Sequence, residues 1–318
     1  MTTVTNRLLW VDALKGFCII LVILGHMQIP ELVRKFIFSF HMPIFFLISG
    51  YLAKHEGVSL KEMFVKRMNS LLVPYVIYSS IISVAWYFCG KSVPFGSIIR
   101  MDGIGVTWFL ISIFLAETLG RIIQTASNGS VFKLVLFSVL LLVMSYYGKE
   151  LKFFSLKSLF PATILWLIGN EVKKSQLLKI CHGRNVLVCC LVPILCGCFF
   201  CFLNERVDMA NGQYGNMVFF FLAAILISVS LLCLFYRLNI KASILVYFGR
   251  RSLLYMMWHT IVPMCILLIF ARIGVDVNDN LLLKIGCRAI NLIVVAVIVE
   301  ILFRYAPWMS GQTKWFVR

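Results

Sequence analysis

The sequence predicts an all-α fold: a polytopic transmembrane helical bundle of about ten spans, with the N- and C-termini cytoplasmic. Three observations carry this. Of 318 residues 61% are apolar, and the mean hydropathy is +0.94. Only 14% are charged, against about 25% in soluble domains. The apolar residues gather in runs that match the roughly 20 residues a helix needs to cross a bilayer. Ten spans and their connections use nearly the whole chain, so residues 1–318 are expected to form one membrane-embedded domain without a fused extracytoplasmic domain. The formal charge of +17 is then expected in cytoplasmic loops, not at a nucleic-acid surface.

The first span, 8–28, carries Asp12, Lys15 and His26. Its two early charges interrupt what would be the core of a cleavable signal, and no small-residue cleavage site follows. After a short connection the second, 36–53, holds His41-Met42-Pro43 near its outer end and closes on Ser49-Gly50-Tyr51. The third, 71–89, follows the basic pair Lys66-Arg67. The fourth, 107–124, opens on Trp108 and is split from the fifth, 131–148, by the turn Ser127-Asn128-Gly129-Ser130. Lys157 lies at the mouth of the sixth, 156–172. The seventh, 186–203, sets Cys189, Cys190, Cys196, Cys198 and Cys201 beside Leu and Phe, where thiols behave as small hydrophobes. Neither a disulfide framework nor a metal site is expected from the eleven cysteines. The eighth, 216–236, ends before Arg237; the ninth, 252–271, carries His259; the tenth, 284–305, carries Glu300 and Arg304. With the N-terminus inside, inward loops hold fourteen Lys and Arg and outward loops ten, which favours both termini inside.

Ionisable side chains within spans are costly and are functional candidates by default. Glu117 and Arg121 are four apart, as are Glu300 and Arg304, so each pair is expected to neutralise itself along one helix face. The eleven-residue step from Lys15 to His26 puts both on one stripe, about 16 Å apart along the axis, with Asp12 close to that stripe. Asp12 and Lys15 either form an ion pair that anchors the helix end or belong to a site with His26. His41 is expected at the depth of His26 on the neighbouring antiparallel helix. Two facing imidazoles supply the nitrogen base that proton transfer needs. His259 either lines the same cavity or makes a helix–helix hydrogen bond; Trp108 either stacks on a substrate ring or anchors the interface. His55 and His182 are expected in solvated loops.

These residues match a known pattern. Asp12-Ala13-Leu14-Lys15-Gly16, then Gly25-His26, then His41-Met42-Pro43 with Phe45-Phe46 and Ser49-Gly50-Tyr51 resemble the opening of the acyltransferase-3 family. Its members are integral-membrane O-acyltransferases that O-acetylate surface polysaccharides and related glycans. The likeness continues at Arg67 with Leu71-Leu72-Val73-Pro74-Tyr75, at Trp108-Phe109-Leu110, and at Gly249 with Ser252-Leu253-Leu254-Tyr255 and His259. The resemblance implies a multi-pass enzyme of the inner cell membrane. It would move an acyl group, usually acetyl, from acetyl-CoA to a carbohydrate hydroxyl.

Acyl-CoA is then a substrate, and no permanently bound cofactor or metal is implied. The family's basic residue and the histidine ten spacers on fall on Lys15 and His26, with Lys where Arg is common. Asn69 stands uncharged where many members carry a second cation after Arg67. The expected roles are catalytic for His26 and His41 and CoA phosphate binding for Lys15 and Arg67; Asp12, Ser49, Trp108 and His259 support. The rivals are a transporter or exporter using an intramembrane Asp, Lys and His relay, and a non-catalytic subunit of an envelope-glycan machine. No repeat of the His motifs occurs in the second half, which sets the chain apart from inverted-repeat carriers.

Overall fold

The computed structural model describes residues 7–53, 59–93, 95–148, 155–182, 185–277 and 281–313. Lys54, Lys149, Lys152 and Arg184, counted in the charge balance, and His55 lie outside them. Apart from one bridge between Asp208 and Gln213, the regular structure of the described residues is helical. The helices are α1 (Leu9–Gly25), α2 (Glu31–Phe40), α3 (Pro43–Leu52), α4 (Leu60–Arg67), α5 (Val73–Phe88), α6 (Phe95–Ile99), α7 (Trp108–Ser127) and α8 (Val131–Gly148). They continue as α9 (Leu156–Lys174), α10 (Leu177–His182), α11 (Val192–Leu203), α12 (Met217–Arg237), α13 (Ser243–Arg250), α14 (Ser252–Arg272) and α15 (Leu281–Tyr305). His182, expected in a loop, ends α10.

Each of the ten expected apolar runs is helical, but only seven helical stretches among the described residues are long and apolar enough to cross a membrane. The other three are α1, which has 17 residues and includes Asp12 and Lys15; α9, whose last turns carry Asn170, Glu171, Lys173 and Lys174; and the shorter apolar stretch Val188–Leu203. α9 tolerates its polarity because it is central: Leu165, Trp166 and Asn170 are fully buried. α8 and α15 instead expose rows of Leu, Val and Ile, the surface that lipid chains accept at no cost in unpaired polar groups.

Proline and glycine shape the helices around the site. The second span starts at Glu31, not 36, and is broken at His41-Met42. Pro43 opens α3 because it has no N–H for the carbonyl four residues back and its ring crowds that carbonyl. A π-helical turn, Met68–Leu72, precedes Pro74, and another, Leu187–Leu191, precedes Pro193. Widening the helix by one residue absorbs the missing donor and the crowded ring.

Two crossings are tight enough to require glycine. A methyl group on Gly16 would overlap the Leu245 carbonyl, and one on Gly249 the Asp12 carbonyl, so α1 and α13 touch backbone to backbone. Gly50 meets the Trp166 carbonyl and Gly169 the Leu47 carbonyl in the same way, locking α3 to α9. Small residues at such crossings are how membrane helices gain packing where no hydrophobic effect draws them together. Gly16 and Gly50, both part of the motifs quoted above, are therefore packing residues.

Candidate active site

The site consists of two cavities at opposite ends of one α1 stripe. The smaller, about 200 Å3, lies by the start of α1 and is lined by Lys15, Ser49, Arg67, Phe109, Ser252 and Met256, among others. The larger, about 760 Å3, lies at the end of α1 and is lined by Val22, His26, His41, Trp108, Met256 and His259, with Lys91, Asp102, Lys157, Asp208 and Asn211 also on its walls. Lys15, Val22 and His26, seven and four residues apart, thus share the stripe that the 3.6-residue repeat predicts. Met256 borders both cavities.

The two cations of the small cavity differ in how they are held. Arg67 Nε pairs with Glu117 Oε2 at 2.8 Å, and Ser49 Oγ donates to the same oxygen at 3.3 Å. Glu117, expected to be neutralised by Arg121 one turn on, is thus also reached from a different helix, because Arg67 is long enough to extend across from the end of α4. Nε is one of the guanidinium's donor sites, which leaves the Nη groups for a further acceptor. Asp12 is not the partner of Lys15. Arg7 takes Asp12 at 2.5 Å and Arg250 lies 3.8 Å away, while Lys15 makes no ion pair with a carboxylate among the described residues. Asn69 is buried with its amide donating to the Val65 carbonyl at 3.0 Å, turned into the π-helical turn. The Glu300–Arg304 pair holds as expected, at 2.5 Å, and also takes Arg251 at 3.0 Å.

In the large cavity each imidazole is fixed by its own helix. Nδ1 of His26 lies 2.9 Å from the Val22 carbonyl, that of His41 2.8 Å from Ile37, and that of His259 3.0 Å from Tyr255. A carbonyl only accepts, so Nδ1 carries the proton and Nε2 of the uncharged ring holds the lone pair. His259 Nε2 is buried with no hydrogen-bond partner. His259 meets His26 edge to face, with ring centroids 4.8 Å apart; Phe38 stands against both His26 (5.7 Å) and His41 (4.8 Å). In place of a face-to-face pair, His26 and His41 both contact Phe38, and His259 joins them as a third histidine on the cavity wall. The cause is the break at Pro43, which leaves His41 at the foot of α2. Trp108 is buried against Phe109 and Phe46 and faces the cavity rather than the interface.

The polar wall was not legible in the sequence, because Lys91, Asp102 and the pair Asp208 and Asn211 come from three different connections and Lys157 from the start of α9. Asp102 receives Arg100 at 3.3 Å through one oxygen, while the other is buried without a partner. The segment bearing Asp208 is held down by Tyr214, whose hydroxyl donates to the Lys157 carbonyl at 2.6 Å. Burial, with Asp208 nearby, holds the Tyr214 phenol above its usual range, so it remains a donor. No group of three or more His, Cys, Asp or Glu among the described residues is arranged to hold a metal ion.

Known proteins share this sequence pattern. The family model described as an acyltransferase domain matches residues 8–305. The chain is 29% identical over 241 residues to the Nodulation protein NolL of Sinorhizobium fredii, covering 67% of this chain and 61% of that protein. It is 31% identical over 146 residues to the Nodulation protein NolL of Mesorhizobium japonicum, covering 40% and 39%. The chain thus spans less than two thirds of the length of these relatives. No solved structure matches.

Proposed function

The chain belongs to the acyltransferase-3 family, and on that premise we propose that it is an inner-membrane O-acetyltransferase moving an acetyl group from acetyl-CoA to a hydroxyl of a cell-surface glycan or its precursor. The observation that carries the reading is the alignment of a cationic cavity and a histidine-lined cavity along one stripe of α1, with Met256 bordering both. Lys15 and the Nη groups of Arg67 hold the CoA phosphates by charge-assisted hydrogen bonds. The start of α14, where Ser252 and Leu253 line the same cavity, adds backbone N–H groups that favour an anion. The pantetheine arm runs past Met256 towards His26, about 16 Å on.

At the other end the acceptor lies against a wall of hydroxyl partners: Asp102, Asp208, Asn211, Lys91 and Lys157 bond its hydroxyls, and Trp108 packs on its ring. His26 Nε2 takes the proton of the attacking hydroxyl. The hydroxyl oxygen bonds to the thioester carbonyl carbon, the C–S bond breaks, and the CoA thiolate recovers the proton from the His26 imidazolium. His41 and His259 orient the acceptor and the carbonyl. Base catalysis of this kind is worth about a hundredfold to ten-thousandfold, and the apolar surroundings protect the thioester from water.

The test is reconstitution of the purified protein with acetyl-labelled acetyl-CoA and surface glycan stripped of its O-acetyl groups. Alkali-labile label should appear on the glycan, and His26→Ala should not produce it. Full transfer by that variant sinks the assignment of His26, and glycan that never takes label from the intact protein sinks the choice of acceptor.

A further inference from the structure

A third cavity, of about 690 Å3, opens sideways between α1, α14 and α15. Its lining is largely aliphatic, and Leu24, Leu267 and Leu292 on its walls are 39%, 49% and 45% exposed, so in a bilayer it opens onto lipid chains. It ends on the same chemistry as the large cavity, because His26 and His259 line both. Pro263, which also lines both, supplies no N–H to the His259 carbonyl four residues back and leaves α14 without a backbone bond at this junction.

The cavity is not uniformly apolar. Lys284 and Arg288, one turn apart on α15, line it, and Arg288 donates to Gln28 Oε1 at 2.6 Å. No carboxylate is among the described residues that line it. Asn291 Oδ1 and His259 Nε2, both on its walls, are buried without hydrogen-bond partners, and His259 as a whole is only 7% exposed. A buried polar atom left unpaired is costly, and two of them beside an open apolar channel mark where a polar part of a ligand ends.

A water-borne acceptor needs only the large cavity. An aliphatic side entrance whose described walls carry two cations, leading to the same two imidazoles, fits an amphiphile. We propose that this cavity seats the acceptor as a lipid-anchored molecule of the polyprenyl phosphate type. The hydrocarbon chain lies among Ile20, Leu24, Leu292 and Val295, the phosphate meets Lys284 and Arg288, and the hydroxyl-bearing part passes Gln28 to reach His26. The proposal rests on the reading of the histidine cavity as the transfer site and adds the class of acceptor and its route.

Binding of polyprenyl phosphate, of the uncharged polyprenol of equal length and of inorganic phosphate is measured on the full chain in phosphatidylcholine nanodiscs. Polyprenyl phosphate should bind at least tenfold more tightly than the polyprenol, and inorganic phosphate should not displace it. Arg288→Glu should weaken it at least tenfold, and Ala296→Trp should abolish binding of both chain-bearing probes. Lys284→Gln, with the melting temperature as a check on folding, repeats the charge test should Arg288→Glu unfold. Equal binding of phosphate and alcohol, unchanged binding in these variants, or equal competition by phosphatidylglycerol overturns the proposal, the last by making the cavity a seat for bulk anionic lipid. Acetyl-CoA binding at the Lys15 cavity, which Arg288 does not line, should be unchanged in Arg288→Glu. Absence of acetyl-CoA binding in the unmodified protein would instead count against the transferase reading itself.

Discussion

Three imidazoles spend their Nδ1 protons on carbonyls one turn earlier in their own helices, and this fixes which nitrogen each presents to the cavity. His26→Ala should lower transfer by about two to four orders of magnitude with an unchanged elution profile in detergent; measured turnover within tenfold of the parent would exclude it as the base. The cations at the opposite end separate into two kinds. Lys15→Ala should raise the apparent KM for acetyl-CoA with little change in kcat and little change in melting temperature, since Lys15 forms no ion pair with a carboxylate among the described residues.

Glu117→Gln should lower the melting temperature, because it leaves Arg67 without the carboxylate that it now meets at 2.8 Å. The double change Arg67→Met with Glu117→Met should restore stability, since removing both partners of a buried pair is far less costly than removing one, yet it should still bind donor poorly. Restored donor binding in the double variant would remove Arg67 from the phosphate grip. Lys15, Arg67 and His26 were legible as residues because charge inside an apolar run is rare and stands out. The Arg67–Glu117 contact was not, because the four-residue spacing to Arg121 points along the helix while the guanidinium of Arg67 comes from another one.

Helices reach this arrangement through a few positions where backbone must meet backbone or a bond must be missing. Gly16 and Gly249 let α1 and α13 touch, which sets the rotation of α1 and hence the direction of Lys15 and His26. Gly16→Leu should lower the melting temperature and transfer together, although residue 16 lines none of the three cavities. Gly286 lies on α15, where an added methyl group would meet nothing within 4 Å; Gly286→Ala should be neutral or stabilise by up to about 1 kcal/mol through helix propensity. A thermal-shift series across both positions separates close packing from propensity, and equal effects at the two would refute the crossing argument. The ten helical runs were readable from hydropathy. The breaks were less so: Pro43 divides the second run and α2 begins five residues before the apolar stretch, because its first turns are amphipathic and Glu31, Arg34 and Lys35 hide it from a hydropathy reading.

At the scale of the molecule, the Lys15 cavity and the histidine cavity lie apart along α1 and share Met256 as a wall residue. Met256→Trp should therefore stop transfer while leaving CoA binding at the Lys15 end and glycan binding at the histidine end intact in separate binding assays; undiminished transfer would show that the two cavities do not connect there. The sequence by itself determined the membrane class, the ten helical runs, the family resemblance and the Lys15 to His26 stripe, since these depend on composition and on the 3.6-residue repeat along a single element. Only the tertiary structure decided that His259 meets His26 edge to face, that Arg67 reaches Glu117, that three connections and the start of α9 supply a polar wall, and that a lateral cavity reaches the same imidazoles. Each of these joins residues from different elements, and the distances between them follow from how the helices cross, which no spacing along one chain segment encodes.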